Sequence, residues 1–112
     1  MKIQPFTQTE IEAVEEAPGV AVRWVIDKED GAPNFAMRVF DVEPGANTPY
    51  HTHSWEHEVF ILEGEGAVNT PDGQVPLEPE YVVYVGPEEK HQFINTGEGT
   101  LRFICLIPHV ES

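Results

Sequence analysis

Cysteine, basic residues and long apolar runs are what this chain has least of. Its one cysteine, Cys105, has no partner for an internal disulfide, so the fold owes nothing to oxidation. Six Lys and Arg stand against 20 Asp and Glu, a formal net charge of -14. A surface of that sign repels nucleic acid and anionic membranes, and it draws metal cations inward. No apolar run approaches the roughly 20 residues of a membrane-spanning helix. The opening residues MKIQPFTQTE lack the apolar stretch of a secretory leader, so a cytoplasmic location is the default expectation. Gly-rich phosphate loops, a Ser-His-Asp set and a CxxC pair are also missing, which removes the commonest nucleotide, hydrolase and dithiol readings.

What is present is strand and turn. The 112 residues, 40% of them hydrophobic, suit one globular domain with a modest core. Ten prolines and nine glycines punctuate runs rich in Val, Ile, Phe and Tyr, the pattern of short strands separated by turns. Residues 1–19 read as an arm packed on the outer wall, in which Thr9 and Glu12 have the spacing of a capping box for one helical turn. Strands are expected at Val20–Ile26, across Phe35 to Phe40, at Val59–Leu62, on either side of the turn Pro71-Asp72-Gly73, and at Tyr81–Val85. Two more follow at His91–Asn95 and Thr100–Ile107; Pro108 ends the pattern and leaves 110–112 as a tail. Eight to ten short strands without linker or repeat imply an all-β sandwich or barrel, one domain spanning 1–112 with its barrel over about 20–108.

The chemistry concentrates between Gly45 and Gly64, GANTPYHTHSWEHEVFILEG. His51, His53 and His57 fall within seven residues, all at odd positions, and His91 opens the later run HQFIN. Side chains two apart on a strand share a face, so His51 and His53 should point the same way, with His57 matching unless a bend at Ser54 breaks the phase. Neutral imidazole is the commonest protein ligand for transition metals. Several buried imidazoles with no ion would leave donors and acceptors unsatisfied. These residue types at this spacing therefore point to a metal cage, with His91 supplied from another strand.

Around that cage, Phe93 shares the face of His91 and reads as pocket wall or ordinary core, and Asn95 as the cap of the turn that follows it. Phe103, Cys105 and Ile107 share one face of the last strand, opposite Arg102, Ile104 and Leu106, so Cys105 points inward as pocket lining or as a small buried hydrophobe. Arg38, in mid-strand, meets a substrate anion, an exposed edge or one of the 20 acids. Trp55 packs over the mouth of the site or anchors the bend. His109 is assigned to the surface.

The spacing Gly45, His51, His53, position 57 and Gly64 resembles the first motif of the cupins, and His91 with Asn95 resembles the end of their second. The resemblance implies a jelly roll, or double-stranded β-helix, holding one divalent metal in its mouth. More narrowly, the chain looks like the small single-domain cupins that hold manganese or a similar ion with four histidines, here His51, His53, His57 and His91. Iron, zinc, nickel and copper also suit such ligands. The family's usual glutamate is replaced by His57. Its motif-two glycine is replaced by Glu80, and its Pro-x-Gly by Gly86, Pro87 and Glu88, which implies a changed turn beside an intact site.

With four neutral ligands a divalent site keeps its full +2 charge, which makes it a stronger Lewis acid and anion binder than a site with a carboxylate ligand. Oxygen chemistry or polarisation of a carbonyl both follow. The first functional expectation is a metal-dependent, dioxygenase-like oxidoreductase acting on a small organic molecule. The alternatives are a non-catalytic cupin binding module and a closed zinc site. A strand edge left open at the N-terminus favours a homodimer.

Overall fold

The computed structural model describes residues 1–109 and contains nine strands among them, all paired antiparallel. They are β1 (Glu12–Ala13), β2 (Val20–Ile26), β3 (Phe35–Val42), β4 (His57–Glu63), β5 (Gly66–Thr70), β6 (Gly73–Leu77), β7 (Val82–Val85), β8 (Gln92–Asn95) and β9 (Leu101–Pro108). One sheet runs β1-β2-β3-β9-β4-β7 and the other β6-β5-β8. The tail expected at 110–112 lies outside the described residues.

Strand β9 shows most plainly how the pattern works. Leu101, Phe103, Cys105 and Ile107 are buried while the residues between them are half-exposed. Its inner face meets Val59 and Ile61 of β4, Ala36 and Val42 of β3, and Val68 and Phe93 from the second sheet in one shared core. The Phe103 ring lies 5.2 Å from Phe40 in its own sheet and 4.9 Å from Phe93, an aromatic contact that ties the two sheets together. Burying each such side chain is worth about 1.5–3 kcal/mol. Buried Asn95 closes the far end: its amide donates to the carbonyls of Val42 and Gly99, and its Oδ1 accepts from Gly97 N, each at 2.8 Å. That is the expected turn cap with two extra bonds.

The arm departs from expectation. The helical turn is a 3-10 turn at Phe6–Gln8, and Glu12–Ala13 pairs with β2 as a strand. The capping box forms instead between Asp27 and Asp30 around the 3-10 turn Lys28–Asp30. The arm is held by Phe6, whose ring lies under the guanidinium groups of Arg23 (5.4 Å) and Arg102 (5.1 Å). Arg102 in turn forks onto Asp41 at 2.6 and 3.1 Å. In β2 the alternation of buried and exposed residues breaks at Val25, which is buried beside a bulge against β3 between Trp24 and Ile26.

Among the described residues, the two non-glycine residues with left-handed backbones are Glu80 (φ 75) and Glu88 (φ 67). These are the positions at which the resembled motif carries glycine. At both positions the chain has a glycine-type, left-handed backbone and bears its strain. Replacing Glu88 by Gly should therefore raise unfolding free energy by about 0.5–1 kcal/mol in urea melts. Gly64 shows the opposite constraint: at φ 89, an added Cβ would overlap the Thr100 carbonyl oxygen and sit 2.8 Å from Leu101 Cα. Gly64→Ala is expected to cost at least about 2 kcal/mol, whereas Gly99→Ala, with open space around it, should cost a small fraction of that.

Candidate metal centre

The two histidine stretches meet through the backbone. The segment before β4 runs beside β8, with Asn95 N donating to Ala46 O (3.1 Å) and Thr48 N to Phe93 O (2.9 Å). His51 and His91 then exchange N–H···O bonds at 3.2 and 3.1 Å. His51 and His53 do not lie on a regular strand. A single bridge at His51 and a bend at Ser54 and Trp55 aim them, and strand parity does not. The strained turn contributes as well, because the Glu88 amide donates to the His53 carbonyl at 2.8 Å.

The four imidazoles pack ring against ring. His53 has its ring centroid 4.5 Å from those of His51 and His57 and 5.1 Å from that of His91. One ligand atom from each of His51, His53 and His91 lies within 4.8 Å of the other two. His53 Nε2 is 3.1 Å from His51 Nε2. Two nitrogens bound to one ion at about 2.1 Å, with tetrahedral or octahedral angles, stand about 3.0–3.4 Å apart, so this spacing fits an ion between them.

The expected convergence of four is not reproduced as such. His57 Nε2 is 3.1 Å from His53 Nδ1, but His57 stays outside the group of three. It begins β4, is 7% exposed, and has its Nδ1 3.0 Å from Cys105 Sγ, which holds the ring deeper in the barrel. His91 has its own outer partner. Its Nδ1 lies 2.8 Å from the Glu89 carbonyl. A carbonyl only accepts, so the proton sits on Nδ1 and Nε2 keeps its lone pair for a ligand.

These side chains line a cavity of about 420 Å³ inside the barrel. Phe93, Phe103, Cys105 and Ile107 form its inner wall, and Arg38 and Trp55 also face it. Trp55 stacks on His53 with ring centroids 4.5 Å apart and packs on the core. Arg38 is not at an edge and pairs with no acid among the described residues: β3 lies between β2 and β9, and its guanidinium Nη2 donates to Cys105 Sγ at 3.1 Å. Glu58 is exposed on the outer face of β4. His109, half-buried, has its ring Nε2 2.6 Å from the Ala32 carbonyl oxygen. Trp24, Phe40, Thr48 and Glu16 also line the cavity without having been singled out in the sequence. Phe40, two residues from Arg38 on the same strand, was legible in part; for Glu16, in the arm, no local signal existed.

Burial dominates the protonation of the cluster. It lowers His51, and it takes His53 to about 4 and His57 to about 3, with repulsion among the rings adding to each. All three are therefore neutral near pH 7, the state in which imidazole binds metal. Above the ordinary value of about 6.5 neither the folded nor the unfolded chain carries these protons, and their contribution to stability is complete. As pH falls below it, the unfolded chain protonates first, and stability drains away down to the folded values. Denaturant melts of the metal-free protein should show lower stability at pH 4.5 than at pH 7, with a smaller difference in His57→Gln.

The family model for the cupin domain matches residues 38–107. A glucose-6-phosphate isomerase from Thermococcus onnurineus is 33% identical over 87% of this chain and 59% of its own length. An oxalate-binding protein from Thermotoga maritima is 34% identical over 57% of this chain and 54% of its own. The chain thus spans little more than half the length of these curated relatives. Among solved structures, the polyketide cyclase RemF from Streptomyces resistomycificus superposes with a TM-score of 0.91 at 33% identity, over 96% of this chain and 79% of that one.

Proposed function

This chain belongs to the cupin domain family, and from that premise we propose that it is a metal-dependent cupin working on a small organic molecule inside the barrel. His51, His53 and His91 hold one divalent transition ion, and His57 closes the set as the fourth ligand. The observation that carries this is the convergence of three imidazoles at the mouth of a largely apolar cavity, with the His91 tautomer fixed by the Glu89 carbonyl. Manganese is the ion the four-histidine resemblance favours, although nitrogen ligands serve iron, zinc, nickel and copper too.

When bound, the ion supplies Lewis acidity toward an oxygen of the substrate. The protein's own groups do the rest. Phe93, Phe103 and Ile107 exclude water from one side of the cavity, and Trp55 braces His53 by stacking. The Glu89 carbonyl and Cys105 Sγ orient His91 and His57 from outside. No carboxylate belongs to the histidine cluster among the described residues, so the set offers no ligand that doubles as a base.

An oxygen-using oxidoreductase remains one form of this proposal. Relatives named as an isomerase and a cyclase support its other form, polarisation of a carbonyl without net oxidation. A relative named for binding oxalate supports the second reading, a non-catalytic binding module. A homodimer is part of the same proposal: β1 and β7 end the larger sheet with edges that no further strand covers among the described residues.

Metal analysis tests the core of it. The purified protein is expected to carry one divalent ion per chain, and His51→Gln, His53→Gln and His91→Gln should each weaken uptake by about 100-fold or more. Wild-type metal content in all three variants would remove the proposal. Dioxygen uptake with each loaded metal then separates the oxidative form from the other.

A further inference from the structure

Arg38 is the cation whose surroundings make least sense without a ligand. It occupies the centre of the larger sheet, opposite Trp24 on β2 and Cys105 on β9. Its guanidinium lies 5.3 Å from the Trp24 ring centroid and 4.8 Å from that of Phe40, which places it inside the cavity. Arg23 and Arg102 share Asp41, and Lys2 pairs with Asp30. Arg38 forms no ion pair with a carboxylate among the described residues, in a chain that has 20 acids to offer. Its hydrogen-bonding partner is a thiol sulfur, a weak acceptor, and its Nε is buried with no partner at all.

A guanidinium stays charged at any pH the protein meets, and holding one among apolar walls without a counter-charge costs stability. Two aromatic faces offset part of that cost. They do not satisfy a planar fork of donors whose geometry matches a carboxylate. Glu16 is the one acid among the lining residues, and it is exposed on the arm. The interior of the cavity is therefore positive or neutral throughout, within a molecule of net charge -14.

We propose that Arg38 is the charge partner of an anionic oxygen on the molecule the cavity takes, which makes that molecule a small organic anion. This rests on the reading of the cavity as the substrate site and names the class of substrate. Arg38 binds and orients through its unpartnered donors. The apolar walls hold the carbon skeleton, and the histidine end receives the part of the molecule that reacts.

The test is isothermal titration of the zinc-loaded protein with benzoate and with benzamide, which share a shape and differ in charge. Wild-type protein should favour benzoate by about tenfold or more, and Arg38→Met should weaken benzoate binding by about tenfold while moving benzamide by less than about threefold. Arg38→Lys, which keeps the charge, should retain a preference for benzoate. Equal binding of the two probes by wild-type protein, or a benzoate affinity in Arg38→Met within about twofold of wild type, would overturn the assignment. If Arg38→Met does not fold, Arg38→Gln, which keeps a polar end for Cys105, is read by the same thresholds. Zinc content is measured in parallel and should not change in these variants. A wild-type protein that takes up no zinc would remove the metal reading, and the same titrations on the metal-free chain would still decide the role of Arg38.

Discussion

The reciprocal pair of backbone hydrogen bonds between His51 and His91 is the contact on which the site depends. It joins stretches that are far apart in sequence, and Thr48 with Phe93, 45 residues apart, extends the seam on one side. Closing a loop of that length costs entropy that grows only slowly with length, and the seam is fixed at its other end by Asn95. Once the seam forms, three imidazoles have nowhere else to go. The ring contacts, the lowered proton affinities and the cavity wall all follow from it.

Charge is arranged in opposite senses inside and out. The exterior is strongly acidic, and its salt bridges gather around Asp41, Glu63 and Asp30. The interior holds imidazoles, a thiol that burial keeps protonated, and the Arg38 guanidinium, which has no carboxylate partner among the described residues. An acidic surface raises the local concentration of cations at the mouth, and a positive interior favours an anion behind them. A binary site, metal first and anionic ligand second, is the arrangement those two fields support together.

Much of this was legible in the residues. The alternation in β9 placed Phe103, Cys105 and Ile107 on the inner face, and Pro71-Asp72-Gly73 marked the hairpin of β5 and β6. Histidine clustering located the site, because no structural role explains three such residues so close together. The failures have physical causes. Strand parity did not aim His51 and His53, since a loop bridge and a bend did so. The bulge near Val25 shifted the register at the end of β2 without any glycine or proline to announce it. The contact that holds the His57 ring from behind, with Cys105 on β9, is tertiary and left no trace in local sequence. Arg38 read equally well as a surface residue, because a strand pattern cannot say which neighbour fills the space opposite.

The most direct measurement is anomalous diffraction from crystals of metal-loaded protein, collected at the absorption edge of the bound ion. One peak within bonding distance of nitrogens from His51, His53 and His91, with His57 beside it, is the predicted result. A fully loaded crystal whose only peaks lie away from these rings would contradict it.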